Sequence, residues 1–294
     1  MRSSTASTVV TAVLLLAQAG YADPHPYTYL TIDFPGSVFT QAFGINAAGE
    51  IVGFYRDGSG RQHGFLMRNG TYTSIDFPGA AATDARGIGP DGDIVGGYRN
   101  PGEIAGLGVH GYLLTRHGEF VRLDYPGHLN TIPQRLLADG TVVGCYHDTD
   151  TMVTMRAMAM GRDGNRELSI EASMHNGGTP DGGVIAGLFT DMDGRGRGYL
   201  LDRDGNFIPF DAPGSTFTAA WDMNARQEVV GVYRDTSGRF HGFVLDAHRW
   251  EFTTLDVPGA TATRAFGINN RGDVVGHFVD ASGRTRGFVA KLIR

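Results

Sequence analysis

The chain has almost no cysteine and no concentration of basic residues. Cys145 is the only cysteine among 294 residues, so an internal disulfide is excluded and stability must come from packing. The 31 Asp and Glu outnumber the 25 Lys and Arg, and the basic residues do not cluster. The net charge of -6 argues against nucleic acid as a partner and against adhesion to anionic membranes.

A hydrophobic run long enough to span a membrane is also missing. The apolar stretch near the N-terminus, Val9 to Leu16, is too short for that role. It follows Arg2 and precedes small residues at 17–22, which is typical of a secretory signal. No cysteine follows closely, which argues against a lipid anchor. We expect residues 1–22 to be a signal peptide and the mature bacterial protein to be periplasmic or extracellular.

Glycine is abundant, with 44 residues, and part of it recurs at a fixed spacing. A phrase close to Gly-x-(Ile/Val)-(Val/Ala)-Gly occurs six times, with steps of 43 to 48 residues. A period in this range is typical of stacked or radially arranged β units. The closing glycines are Gly53, Gly96, Gly144, Gly187, Gly231 and Gly276.

Each copy of the repeat contains short apolar runs separated by turn residues. The first copy has four such runs, at 42–46, 50–55, 63–67 and 72–77, bounded by Gly, Asn, Asp or Pro. This pattern predicts four strands joined by hairpins, and no sustained helical period appears beyond the leader. We therefore predict an all-β, six-bladed β-propeller that occupies residues 23–294 as a single domain.

The two ends of the chain predict how the ring closes. The last copy stops after its third strand, near Phe288 to Leu292, and lacks a fourth. A lone strand of the missing type stands at the N-terminus, from Tyr29 to Asp33. Pairing these two strands would protect an edge that is otherwise open.

Two further recurrent features have structural explanations. Asp-x-Pro-Gly, as in Asp33 to Gly36, is a turn motif that leads from the outer strand of one blade to the inner strand of the next. The aromatic residue two places after each closing glycine, such as Tyr55, is expected to pack between blades.

These motifs together resemble a known family. Gly44-Ile45-Asn46, the repeated Gly-x-(Ile/Val)-Val-Gly-x-Tyr and His63-Gly64-Phe65 are similar to the HAF-type extracellular repeat of bacterial secreted proteins. His110 and His241 stand at the same place in two other copies, where they are expected to support the fold. The resemblance covers residues 29 to 294 and implies secretion and a propeller-like fold. It brings no shared catalytic residues.

A unique site should lie where the repeats differ. The connections between blades, and those between second and third strands, share one face of the ring, here called the loop face. Blades 2 to 4 depart most from the repeat there, with longer loops at 100–109 and 147–155. We expect His128 and His175 in neighbouring inter-blade loops and His147 as an exposed loop residue.

A cluster of His and carboxylate groups on this face could act as acid and base or hold a metal ion. His147 is the predicted acid or base, with Asp148 or Asp150 as its partner. The candidate catalytic residues are His147, Asp148 and His175, and the candidate ligand-binding residues are His128, Asp150 and Glu171. Solvated loop histidines that have no shared role are the alternative.

Sulfur-containing residues lie in the same region. Cys145 and His147 share one face of a strand, which could support a nucleophile, although the equivalents of Cys145 are apolar core residues. Thioethers can bind Cu(I), or they can simply fill an irregular core. The methionines concerned are Met152, Met155, Met158, Met160 and Met174. A divalent metal or copper therefore stays open as a cofactor.

Two functions remain from the sequence. The first is a secreted, monomeric binding or scaffold module that uses the loop face for a glycan, a peptide, another small ligand or an envelope partner. The second is a secreted hydrolase or lyase with a His/carboxylate centre, with or without a metal ion, on the face of blades 2 to 4. The near-regular repeats favour the first function and the clustered departures favour the second, for which the fold adds only an analogy; binding ranks slightly ahead.

Overall fold

A computed structural model describes residues 27–103, 107–149, 154–162 and 164–293, apart from the side chains of residues 169 and 171. The predicted signal peptide at 1–22 therefore lies outside the described residues. The described part contains no α-helix, and no helix in it could cross a membrane.

The chain forms six four-stranded antiparallel sheets arranged as the blades of a propeller, as predicted. The N-terminal strand is β1 (Tyr27–Ile32). Blade 1 contains β2 (Phe39–Ile45), β3 (Ile51–Arg56), β4 (Gln62–Arg68) and β5 (Thr71–Ile75). Blade 2 contains β6 (Ala82–Ile88), β7 (Ile94–Arg99), β8 (Val109–Leu114) and β9 (Phe120–Arg122). Blade 3 contains β10 (Asn130–Leu136), β11 (Val142–His147), β12 (Arg156–Gly161) and β13 (Gly164–Glu171).

The remaining blades continue the same order. Blade 4 contains β14 (Ser173–Gly178), β15 (Val184–Thr190), β16 (Gly196–Asp202) and β17 (Phe207–Phe210). Blade 5 contains β18 (Phe217–Met223), β19 (Glu228–Arg234), β20 (Phe240–Asp246) and β21 (Glu251–Leu255). Blade 6 contains β22 (Ala262–Ile268), β23 (Val274–Val279) and β24 (Thr285–Leu292), and β1 is its outer strand.

The ring closes through the predicted pairing of the two chain ends. β1 runs antiparallel to β24, from Tyr27 opposite Leu292 to Ile32 opposite Gly287. Beyond the strand, Arg284 and Arg286 both bond the carboxylate of Asp33. Side chains and backbone therefore both hold the N-terminal strand in blade 6.

The closing glycine of the repeat is required by close packing inside each blade. At Gly53, a Cβ would overlap the carbonyl oxygen of Gln41 on the inner strand and lie 2.8 Å from the ring of Phe65. The other five closing glycines meet an inner-strand carbonyl in the same way. The motif that defines the repeat is thus a steric requirement of the sheet.

The core lies between the blades. The aromatic residue after the closing glycine stacks on the Asp-x-Pro-Gly turn that enters its blade: Tyr55 lies 3.6 Å from Phe34, and Tyr98 lies 3.6 Å from Phe77, between ring centroids. This confirms the predicted packing of the aromatic between blades. Buried clusters also span neighbours, as where Val52 of blade 1 packs with Tyr112 of blade 2.

Candidate functional site: the central channel and the loop face of blades 2 to 4

The recurrent histidine of the third strand tethers two loops. His63 contacts Asp76 of the Asp-x-Pro-Gly turn through Nδ1 at 2.7 Å and Asp57 of the preceding loop through Nε2 at 3.4 Å. His241 joins Asp256 and Asp235 in the same manner. Each of these histidines therefore supports its own blade.

His128 takes over this structural position in blade 3, where the third-strand histidine is missing. Its ring lies 3.9 Å from that of Tyr146, and its Nδ1 lies 2.9 Å from Oδ2 of Asp148. The backbone N–H of Leu129 donates to the same carboxylate, and with His128 it lowers the pKa of Asp148. Nε2 of His128 has no hydrogen-bond partner among the described residues, and a quarter of the side chain is exposed.

The expectation for His147 was wrong in two respects. His147 is the last residue of β11 and is only 6% exposed, so it is not an exposed loop residue. Its Nδ1 bonds the carbonyl oxygen of Thr149, and Asp148 pairs with His128 instead. The reason is the strand alternation, which places His147 on the opposite face from Tyr146 and His128.

His175 also differs from its predicted place. It lies inside β14 and is 4% exposed, with Nδ1 2.6 Å from the hydroxyl of Tyr199. Burial, helped by Arg166, lowers the pKa of His175 to about 4. Asp150 lies outside the described residues, and of Glu171 only the backbone, at the end of β13, is described.

The structure therefore brings two of the predicted residues together, His128 and Asp148, although Asp148 was expected beside His147, and it gives His147 and His175 separate partners. Within the described ranges, no three His, Cys, Asp or Glu residues are grouped closely enough to hold a metal ion. The roles of the predicted residues in catalysis or binding remain predictions.

The sulfur-containing residues fill the core. Cys145 is fully buried against Met155 and Met174, and burial raises the pKa of its thiol to about 12. A thiol with this pKa stays protonated and is a poor nucleophile. Met158 is likewise fully buried, and Met152 lies outside the described residues.

The narrowest part of the central channel, here called the waist, is filled by two side chains, Arg135 and Asp222, at positions where the other blades have glycine. Every inner strand has a β-bulge, and the residue after it is Arg135 in blade 3 and Asp222 in blade 5. At the other four positions a Cβ would come closer than 3.0 Å to the next blade. Those positions hold Gly44, Gly87, Gly177 and Gly267.

Arg135 reaches across the ring axis. Its Nε donates to Asp222 at 3.1 Å, and its terminal nitrogens donate to the carbonyl oxygens of Arg86 and Phe43 at 2.8 Å each. The carbonyl oxygen of Phe266 accepts a further bond. Burial raises the pKa of the Asp222 carboxyl, although Arg135 opposes this change. One buried guanidinium thus links blade 3 to blades 1, 2, 5 and 6.

Sequence reasoning missed this pair. Neither Arg135 nor Asp222 is among the candidate residues that the sequence indicated. An available signal is that both residues stand where the other copies have glycine, in a strand with no room for a side chain.

Below the waist, the channel opens into a cavity of about 140 Å³, here called the mouth cavity. This end of the ring carries the turns between first and second strands and is here called the hairpin face. Arg135 and Asp222 form the floor, and an apolar ring that includes Ile45, Leu136 and Met223 forms the wall. The mouth cavity is therefore apolar at its sides and charged only at its base.

The rim of the mouth cavity has two different halves. In blades 5, 6 and 1, asparagines link neighbouring turns: Asn224 donates to the carbonyl oxygen of Asn269 at 3.1 Å, and Asn269 to that of Asn46 at 3.4 Å. In blades 2 to 4, the rim is formed by Pro90, Leu137, Ala138 and Pro180.

The mouth continues outward on its apolar side. A second hollow of about 180 Å³ lies between blades 2 and 3 and shares Pro90, Leu136, Leu137 and Ala138 with the mouth cavity. The two hollows are therefore adjacent, and the second lies farther from the channel axis, toward the edge of the ring.

Solved structures with the same fold have diverse activities. A putative TolB from Agrobacterium tumefaciens superposes with a TM-score of 0.58 at 15% identity, over 85% of this chain and 89% of that one. XC5397 from Xanthomonas campestris, a gluconolactonase, gives 0.55 at 13% identity, over 95% and 99%. A lectin from Aleuria aurantia in complex with Fucα1-6GlcNAc gives 0.51 at 9% identity, over 88% and 93%. At such identities the likeness shows the propeller fold alone.

No protein-family model and no curated protein matches this chain. The resemblance to the HAF-type repeat therefore stays a prediction.

Proposed function

We propose that this protein is a secreted, non-catalytic binding module that holds an extended peptide segment at the hairpin face of the ring. The mouth cavity would take one apolar side chain, and the adjoining hollow between blades 2 and 3 would take the residues next to it. The observation that carries this proposal is that the two hollows are adjacent and share four lining residues, so that neighbouring residues of one extended ligand can occupy both.

A peptide suits the mouth cavity better than a glycan. Its wall is aliphatic, and none of the described residues that line it is aromatic. A sugar would bring many hydroxyl groups into this space, where the side-chain amides of Asn46, Asn224 and Asn269 already bond within and between the turns. Burying those hydroxyls without partners would cost free energy, whereas an aliphatic side chain has no such cost.

The state of the predicted catalytic residues also favours binding. His147 is bonded to its own loop, His175 is bonded to the Tyr199 hydroxyl, and His128 reproduces a tether found in other blades. The sequence expectation that the ligand occupies the loop face remains a rival location.

The test uses two adjacent alanines in one turn. Ala47 and Ala48 are both exposed, but only Ala47 lines the mouth cavity. A peptide array probed with the purified chain would identify a ligand, and its dissociation constant would then be measured for Ala47→Trp and Ala48→Trp. We expect at least tenfold weaker binding for Ala47→Trp and unchanged binding for Ala48→Trp.

Two results would contradict the proposal. If both variants bind as the wild type does, the ligand lies elsewhere; Leu129→Asp, at a residue 61% exposed on the loop face, would then test the rival location. If glycans bind and peptides do not, the ligand class is wrong.

A hydrolase or lyase is the second candidate, and one observation favours it. Nε2 of His128 has no partner in the described part of the chain, while its Nδ1 is held by Asp148 at 2.9 Å. A histidine oriented in this way can act as a general base. An activity screen with hydrolase and lyase substrates should find turnover that His128→Ala abolishes; if turnover persists in that variant, this pair is not the centre.

A further inference from the structure

A cavity of about 240 Å³ lies between blades 3 and 4, away from the channel. Its walls come from β12 and β13 of blade 3 and from β14, β15, β16 and the turn after β16 in blade 4. His175 lines it together with Arg166, Glu167, Asp202 and Arg203.

His175 stands where the repeat otherwise has a small residue. This position pairs with the closing glycine of each copy, as His175 does with Gly187. The equivalents in the other five blades are Ala42, Ala85, Pro133, Ala220 and Ala265. The fold therefore does not need an imidazole here, and a unique polar residue at a repeated position calls for a reason outside the fold.

The contacts of Tyr199 favour one position for the proton of His175. The hydroxyl of Tyr199 donates to the carbonyl oxygen of Met174 at 3.1 Å. Tyr112, at the same position in blade 2, donates to the carbonyl oxygen of Asp84 at 2.8 Å with no histidine nearby to compete. If Tyr199 uses its proton in the same way as Tyr112, Nδ1 of His175 donates to the Tyr199 oxygen, 2.6 Å away.

Nε2 of His175 therefore carries a lone pair and has no hydrogen-bond partner among the described residues. Only 4% of the surface of His175 is exposed to solvent, and its lowered pKa keeps the ring neutral at pH 7. A buried acceptor of this kind is stabilised when a ligand donates a hydrogen bond to it.

Most of the charged residues around the cavity already bond other protein groups, and Arg166 differs from them. The carboxylate of Glu167 accepts a bond from the Tyr146 hydroxyl, Asp202 accepts from Asn206, and Arg203 bonds Asp181. Arg166 is exposed and forms no ion pair with any described residue. Counting only the described residues, the cavity thus offers one guanidinium without an ion-pair partner and one neutral acceptor nitrogen.

We propose that this cavity is a second binding site, separate from the mouth cavity, for a small hydroxycarboxylate. The guanidinium of Arg166 would pair with the carboxylate, which its planar donors fit well. The ligand hydroxyl would donate to Nε2 of His175. This inference does not depend on the peptide-binding proposal.

Two matched pairs of probes test the site: lactate with propionate, and malate with succinate, which differ by one hydroxyl. Calorimetric titration of the full chain should give tighter binding of the hydroxylated member of each pair. His175→Ala should bring the ratio of the two affinities close to one. Arg166→Gln should weaken all four ligands at least fivefold and leave that ratio in place.

The variants are chosen to keep the fold. Alanine is the residue of four other copies at this position, so His175→Ala should unfold at nearly the wild-type temperature. His248→Ala, at an exposed residue after β20 of blade 5, serves as a control that leaves binding unchanged. The proposal is overturned if the wild type binds none of the four probes, or if His175→Ala keeps the preference for the hydroxylated acids. ¹⁵N shifts of His175 should show the Nδ1–H form, and an Nε2–H form would also overturn it.

Discussion

Individual residues in this ring are best understood by comparison with their equivalents in other blades. The partner of Arg264, His277, occupies a position that is apolar or glycine elsewhere, as with Leu188 and Val232. Its ring is buried, its Nε2 lies 3.2 Å from Nη1 of Arg264, and its Nδ1 is buried with no hydrogen-bond partner in the described part of the chain. Burial and the positive charge of Arg264 lower the pKa of His277 to about 3.

This pKa predicts a loss of stability in mild acid. The folded pKa lies below the unfolded value near 6.5, so the unfolded chain binds the proton first, and stability falls as the pH drops from about 6.5 toward 3. Between pH 7 and pH 5, His277 should cost about 2 kcal/mol of unfolding free energy. His277→Leu should remove this part of the pH dependence, measured by urea unfolding at pH 7, 6 and 5.

The effect can be separated from that of the carboxylates. Asp235 and Asp280, whose pKa values are lowered by their loop hydrogen bonds, lose their contribution only below pH 4. Equal slopes for the variant and the wild type between pH 7 and 5 would show that His277 does not titrate in this way.

At the scale of elements, five of the six connections between blades are built in the same way, and one differs. In five connections, a threonine of the next inner strand accepts the backbone N–H of the residue after the Asp, as Thr40 does from Phe34 at 3.1 Å. Between blades 3 and 4 the Asp-x-Pro-Gly turn is absent, and Ala172, with φ of 51°, makes the reversal alone. Ser173 there accepts the N–H of Ala157.

The seam of the ring gives the prediction at this scale. Deleting residues 1–36 removes β1 with its buried Ile32. It also removes Asp33, which bonds Arg286 of β24 and Arg284 just before that strand. We expect a loss of at least about 3 kcal/mol and a thermal midpoint lower by on the order of 10 °C. Deleting only residues 1–26 is the control and should leave the midpoint unchanged.

The exposed edge of β24 should also promote self-association of the truncated protein. Light scattering and differential scanning calorimetry would follow both effects. Equal midpoints for the two deletions would mean that β1 does not close the ring.

For the whole molecule, Arg135 and Asp222 are the contact that joins distant blades. They are 87 positions apart in the chain, and their side chains are 6% and 10% exposed. Removing one partner of a buried ion pair leaves the other charge uncompensated, which typically costs about 3–5 kcal/mol.

A double-mutant cycle tests this role. Arg135→Met and Asp222→Asn should each destabilise the ring by about 3 kcal/mol or more, and the double variant should lose at least about 2 kcal/mol less than their sum. Unfolding free energies from urea titration at pH 7 supply the four corners of the cycle. Additive losses would show that the two charges do not depend on one another.

The sequence alone determined the architecture, because the same local chemistry recurs in every copy. Glycines packed under aromatic rings, Asp-x-Pro-Gly turns and short apolar runs specify each blade without reference to distant residues, and the unpaired runs at the two ends specified the seam. It also identified blades 2 to 4 as unusual, and His128, Asp148 and His175 as unique.

Only the tertiary structure decided what those unique residues contact. Strand alternation and ring closure, not spacing in the chain, pair Asp148 with His128, bury His147, and bring Arg135 of blade 3 to Asp222 of blade 5. The burial of His175 beside Tyr199 likewise depends on the bulge of β14 and the packing of blade 3 against blade 4. A repeat fixes its own fold locally, whereas a site is made by side chains that meet across blades, and that meeting is set by the geometry of the closed ring.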